Sequence, residues 1–208
     1  MKPAVSIVTT VFDRLDCLRR CLRSVQHLAW RDFEQIVVSD CPGPDYEDEI
    51  DKMIAAIGDT RIRHQTRNRR ANDWGRSPAI DGLRASVGRY VCFLSDDNAY
   101  LPDHFGPLMS ALEADPGLGF VYSSCQYSAR KVLNYPIPAG AQIDLGQPLF
   151  RRAAIREHLS DDLPFNEFAW DWRLIDALMS SGVRYQHIDE PTFIFRLLAY
   201  PHYTEALA

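Results

Sequence analysis

No apolar run in the chain approaches the ~18 residues that a membrane-spanning helix needs, so no membrane span is expected. Met1-Lys2-Pro3-Ala4 leads directly into a strand-like run without a signal-peptide pattern, and a cytoplasmic location is expected. The five cysteines are odd in number and lack a CxxC spacing. That argues against a zinc finger or a disulfide scaffold and for reduced thiols. Basic charge is not in excess: 23 Lys and Arg against 28 Asp and Glu give a net charge of −5. A nucleic-acid binder asks for a basic face, so no nucleic-acid partner is expected. No glycine-rich loop follows the first strand, where the sequence reads Thr10-Val11-Phe12-Asp13-Arg14. This disfavours both a dinucleotide-binding dehydrogenase and a nucleotidyltransferase. Internal repeats, low-complexity segments and sharp composition shifts are also lacking, so residues 1–208 read as a single domain.

What is present is an ordinary globular composition, 46% hydrophobic and 25% charged. Residues 4–10 form a short β-branched run that reads as a buried strand. Leu15, Leu18, Leu22, Val25 and Leu28 then recur at spacings of three and four, one apolar helix stripe, with Cys21 beside it as packing. Strands are predicted at 33–38, 61–65, 90–94 and 120–122. Between them lie helices carrying Ile50 to Ile57, Ile80 to Val87, and Phe105 to Leu112. Pro78 suits a first helical turn and Gly88 a helix stop. This alternation implies a mostly parallel sheet with helices on both faces. Beyond residue 123 the pattern is less regular. A hairpin near 128–135, helices near 151–158 and 170–180, and a last strand at 193–197 are expected.

Ligands of open parallel sheets bind beyond the C-terminal ends of the strands. Strand one ends at Thr10 to Arg14, strand two at Asp40, and the central strand at Asp96-Asp97-Asn98. These polar ends converge on one crevice. Adjacent carboxylates raise each other's pKa unless a cation relieves them. Hard oxygen ligands without an accompanying Cys/His set suit Mg²⁺ or Mn²⁺.

The block Gly88 to Asp103, GRYVCFLSDDNAYLPD, resembles the segment of family 2 glycosyltransferases in which a G-E-Y strand runs into D-D-D/N and then a proline. The spore-coat polysaccharide transferase type of that family shares its D-D-N-x-Y-x-P-D string. Ser6 to Arg14 resembles the family's opening strand and T-x-Y-N-R turn, and Phe33 to Asp40 its second strand. Ser39-Asp40-Cys41-Pro42 stands where the family usually has D-D-G-S, so one carboxylate and a flexible Gly-Ser are lost.

The resemblance implies a GT-A (nucleotide-diphospho-sugar transferase) α/β fold, with residues 1–123 as the nucleotide-sugar-binding half and 124–208 as the acceptor-side half. It further implies inverting transfer from a nucleotide-diphosphate sugar, UDP-linked by expectation, to a glycan or glycoconjugate. Thr10 and Phe12 would line the nucleoside pocket, Phe12 stacking on the base, and Asp40 would hydrogen-bond that base. Asp96 would contact ribose or metal, and Asp97 would be the main ligand of Mn²⁺ or Mg²⁺. Among Arg67, Arg69, Arg70 and Arg76, the guanidinium groups of Arg70 and Arg76 are assigned to the nucleotide. Asp171, between Trp170 and Trp172 at a helix start, would be the general base, with Glu167 and Asp176 as fallback carboxylates. The tryptophans beside it have faces suited to a pyranose. His202 would reach the diphosphate or metal. Asp144 and Gln147 resemble the strand entering the acceptor side. The alternative is a catalytically silent nucleotide-sugar-binding module on the same fold, favoured if Asp171 lies far from the Asp97 crevice.

Overall fold

The computed structural model describes residues 2–128, 131–139, 142–161 and 170–195. Strands β1 (Val5–Val11), β2 (Phe33–Ser39), β3 (Ile62–Thr66) and β4 (Tyr90–Ser95) alternate with helices α1 (Leu15–Gln26), α2 (Pro44–Ile57) and α3 (Arg76–Ala85). Then come β5 (Ala99–Tyr100), α4 (Phe105–Ala114), β6 (Leu118–Ser128), β7 (Lys131–Leu133), β8 (Pro148–Arg151), α5 (Arg152–Ile155), α6 (Trp170–Ser180) and β9 (Arg184–Ile194). All nine strands join one sheet in the order β3-β2-β1-β4-β8-β6-β9-β5, with β7 on β6.

The expected parallel character holds for β1 to β4 and for the β6/β9 pair. Short antiparallel pairings at β4/β8, β6/β8, β6/β7 and β5/β9 are added to these longer parallel ladders. The strand β8, inserted between β4 and β6, runs against both neighbours.

Alternate residues of the central strands enter two cores, as the period of two requires. Val8, Val91 and Phe93 face the side covered by α3 and α6, where Ile80, Leu174, Ile175 and Leu178 pack. Ile7, Cys92 and Leu94 face the side of α1 and α4, against Val25, Phe105 and Leu108. Because both faces are covered, the strands carry continuous apolar runs instead of alternation. Cys17, Cys21, Cys92 and Cys125 are buried free thiols within this packing, and burial pushes Cys92 up to about 12, so it is chemically inert.

Gly88 has a different task from the one the sequence suggests. Helix α3 ends at Ala85, and Arg152 satisfies its C-terminal carbonyls, bonding Leu83 O at 3.2 Å and also Gly88 O. A Cβ on Gly88 would lie 2.6 Å from Ser6 Oγ and 2.8 Å from Ser6 N, so this glycine allows the chain to pass against β1 before β4 begins.

Candidate active site

Strand β1 has β2 on one side and β4 on the other, so the chain's winding changes direction there. That switch point is where an open α/β sheet leaves a crevice at its C-terminal edge. A crevice of about 440 Å³ lies there, lined by Thr10, Phe12, Asp40, Arg70, Trp74 and Asp96 among others. A smaller one of about 70 Å³ adjoins it and holds Asp144 and Asp171; Thr10, Trp74 and Ser95 line both.

Asp96 is 1% exposed at the end of β4. Burial pushes it up to about 6, while the Arg14 guanidinium beside it pulls the other way. Arg14 bonds both carboxylates: its Nε donates to Asp96 Oδ2 at 3.1 Å, its Nη2 to Asp96 Oδ1, and its Nη1 to Asp97 Oδ2 at 2.7 Å. A cation thus spans the acidic pair. Among the described residues, no group of three or more His, Cys, Asp or Glu side chains gathers as a metal cage. Two carboxylates are nevertheless the donor set from which Mg²⁺ or Mn²⁺ is held when substrate phosphates and water supply the rest. The residues present fit such an ion.

Asp40 closes β2. Its carboxylate accepts the backbone N–H of Ala71 at 2.9 Å and of Asn72 at 3.1 Å, with Arg67 Nε at 3.4 Å. It therefore anchors the loop before α3 as well as lining the crevice. The four lone-pair sites of a carboxylate leave capacity for a further donor. The Arg70 guanidinium lies 3.7 Å above the centre of the Phe12 ring, a cation–π contact on the face where a base would stack.

Arg76 does not join this group. Its Nη2 donates to the carbonyls of Ser160 (3.1 Å) and Asp161, which fixes α3 to the chain after α5. It is absent from the crevice lining. His202 and Glu167 lie outside the described residues.

Asp171 occupies the first turn of α6, and the Trp172 N–H donates to its Oδ1 at 2.7 Å. Burial raises it above the ordinary carboxylate range. Asp144 accepts the Gly146 N–H at 2.7 Å and the Asn98 amide at 3.2 Å. Burial pushes Asp144 up to about 7, and the charges of Asp171 and Asp97 add to the rise. Both of those carboxylates are therefore electrostatic neighbours of Asp144, which links the acidic pair to Asp171.

The tryptophans flanking Asp171 are engaged in packing. Trp170 is buried and Trp172 packs against the core. The exposed indole is Trp74, at 66%. Sequence reading passed over Trp74 and the bridging role of Arg14. The available signals were a lone large aromatic in the polar segment 66–76 and an arginine directly beyond strand one.

The family model for glycosyl transferase family 2 matches residues 6–164. A glycosyl transferase assigned to colanic acid biosynthesis, WcaA of Escherichia coli (strain K12), is 20% identical over 182 residues, 88% of this chain and 62% of that protein. Among solved structures, the mannosyltransferase PcManGT from Pyrobaculum calidifontis, in complex with GDP-Man and Mn²⁺, superposes with a TM-score of 0.76 at 16% identity, over 95% of this chain and 58% of its own. S. aureus TarS (1–349) in complex with UDP gives 0.70 at 13% identity, over 94% and 60%. The chain thus spans about three-fifths of the length of each of these proteins. The mixed sheet flanked by helices is the GT-A glycosyltransferase fold. With the family model covering most of the sequence, the chain belongs to glycosyl transferase family 2.

Proposed function

We propose that this protein transfers a sugar, with inversion, from a nucleotide-diphosphate donor to a hydroxyl of a glycan or glycoconjugate. The observation that carries this reading is the adjacency of the two crevices, which share Thr10, Trp74 and Ser95. One holds groups suited to a nucleoside diphosphate, and the other holds Asp171.

Phe12 offers a stacking face for the base where the Arg70 guanidinium now lies at 3.7 Å, and Asp40 an acceptor for an imide N–H such as that of uracil. A UDP-sugar is the donor that suits these groups. Asp96 and Asp97 would hold Mn²⁺ or Mg²⁺ together with the diphosphate. When bound, that ion neutralises the diphosphate as it leaves. Arg14 then turns from the carboxylates toward phosphate oxygens, for which its planar, permanently charged fork is suited. Asp171 accepts the proton of the acceptor hydroxyl as that oxygen attacks the anomeric carbon opposite the leaving group. Its raised pKa brings it nearer the working pH, where a base is most effective. In this reading residues 1–123 bind the donor and 124–208 face the acceptor.

The test is calorimetric titration of UDP with and without Mn²⁺, on the wild type and Asp97→Ala, followed by assay of UDP-sugar hydrolysis with Asp171→Asn. The expected result is metal-dependent micromolar binding that weakens at least tenfold in Asp97→Ala. Turnover should fall about 10²–10⁴-fold in Asp171→Asn, the range for loss of a general base, with UDP binding retained. Failure of UDP, dTDP and GDP alike to bind would overturn the transferase reading, and UDP binding without turnover would leave the silent nucleotide-sugar-binding module as the better account.

A further inference from the structure

The segment 72–75 holds an unusual conformation. Asn72 (φ 53°), Trp74 (φ 58°) and Gly75 (φ 84°) all lie in the left-handed region. Asn and Gly tolerate it, whereas a tryptophan there is an outlier that persists only when its surroundings impose it. They do so at three points. Asp40 at the end of β2 takes the N–H groups of Ala71 and Asn72. The Asp73 carboxylate takes the Ser77 N–H at 3.0 Å and its hydroxyl at 2.6 Å. The buried Trp170 indole donates to Trp74 O at 3.0 Å, from the residue next to Asp171. A costly backbone geometry is thus tied to the donor end and to the base end of the site. Its result is a large aromatic side chain left two-thirds exposed at the junction of both crevices.

We propose that the Trp74 indole is the platform on which a pyranose ring of the acceptor stacks, holding its hydroxyl toward Asp171. The inference rests on the glycosyl-transfer reading above and identifies the acceptor class and the residue that positions it. A hexopyranose presents an apolar C–H face with its hydroxyls on the rim, and the negative face of an indole attracts those C–H edges. Trp74 shares the smaller crevice with Asp171, and the group that meets the base is the acceptor hydroxyl, not the donor ring. Phe12 already supplies an aromatic face in the nucleotide crevice, so the indole is not needed for the base.

The experiment is saturation-transfer difference NMR with methyl β-D-glucopyranoside, methyl β-D-galactopyranoside and methyl N-acetyl-β-D-glucosaminide, in the presence of UDP and Mn²⁺. Wild type, Trp74→Phe and Trp74→Ala are compared, and UDP affinity is measured for each by calorimetry. The expected result is saturation of the C–H protons on one ring face of at least one glycoside. Affinity should drop about tenfold in Trp74→Ala, the size of one lost aromatic stack, and be largely kept in Trp74→Phe, with UDP affinity within twofold throughout. No transfer to any glycoside by the wild type overturns the proposal, as does a signal unchanged in Trp74→Ala. A tenfold loss of UDP affinity in Trp74→Ala also overturns it, because the indole would then serve the nucleotide. Absence of UDP binding by the wild type strikes the donor reading alone, so the two fail separately.

Discussion

At the residue scale Asp144 and His104 deviate in opposite directions. His104 is fully buried, stacked on Tyr100 at 3.9 Å with Nδ1 2.8 Å from Thr192 Oγ1, and burial lowers it from 6.5 to about 3. It is held neutral, so its contribution is present above pH 6.5 and is lost as the pH falls toward 3. Asp144 is the reverse. Its folded pKa of about 7 exceeds the ordinary 3.8, so its contribution is full below pH 3.8 and is lost as the pH rises toward 7. Between pH 4 and 6.5 the two oppose each other. Asp144→Asn keeps an acceptor for Gly146 and Asn98 while removing the charge. The gap from 3.8 to 7 corresponds to about 4 kcal/mol at most. Solvent at the crevice reduces this, and about 2 kcal/mol of added stability is expected at pH 8, with almost none at pH 4. Urea unfolding of both proteins across this range checks it. The variant's stability should climb with pH on the His104 slope that the wild type masks, and equal gains at both pH values would refute the assignment.

At the element scale, α3 and β4 are placed by contacts that a single atom can disturb. Gly88→Ala forces a Cβ to within 3 Å of the Ser6 N and Val5 C backbone atoms, neither of which can rotate away. Overpacking of this kind costs about 1–3 kcal/mol. It acts at the start of the β1/β4 pairing whose far ends carry Thr10 and Asp96. The urea midpoint of Gly88→Ala should therefore fall, and nucleotide affinity should fall with it; a variant as stable as the wild type would show that β1 yields. This glycine was legible in the sequence as a stop, but the reason for it was tertiary. The same limit decided which elements could be read at all. Strands β1 and β4, buried on both faces, announce themselves as apolar runs. Strand β9 spans Arg184–Ile194 with an exposed, charged first half, and it exists because β6 supplies its hydrogen bonds. Only its last residues had strand character in the sequence. Strand β8 was not foreseen: only its last residue, Arg151, falls in the helix expected near 151–158, where β8 runs into the single turn of α5. Likewise α2 starts at Pro44, six residues before the apolar stripe that betrayed it. Strand ends carried the crevice acids faithfully, since their place follows from topology. Trp74 and Arg14 were not legible because their roles depend on which loops face each other. Cys41 shows the same limit: it stands at φ 53°, the backbone that the family's glycine would adopt freely.

At the scale of the whole molecule, the site draws on groups from Thr10 to Asp171, so ligand binding and global stability are coupled. Saturation at one hundred times Kd adds about 2.7 kcal/mol. For a chain of this size that corresponds to a rise in Tm of roughly 5–10 °C. How the rise divides between metal and nucleotide depends on Arg14. Its guanidinium spans Asp96 and Asp97, so a divalent ion arriving alone must displace an internal cation for little net gain in charge. A nucleoside diphosphate changes that balance by offering Arg14 a new anionic partner and the ion additional oxygen ligands. The expected pattern in thermal scans is a shift under about 1 °C with Mn²⁺ alone, a small shift with UDP alone, and the full rise only with both together. In Arg14→Gln the acidic pair loses its internal cation. Mn²⁺ alone should then raise Tm by several degrees, while the additional rise due to UDP shrinks. If Mn²⁺ alone stabilises the wild type as fully as Mn²⁺ with UDP, then Arg14 does not compete for the carboxylates, and the ordered exchange of cations at this site is refuted.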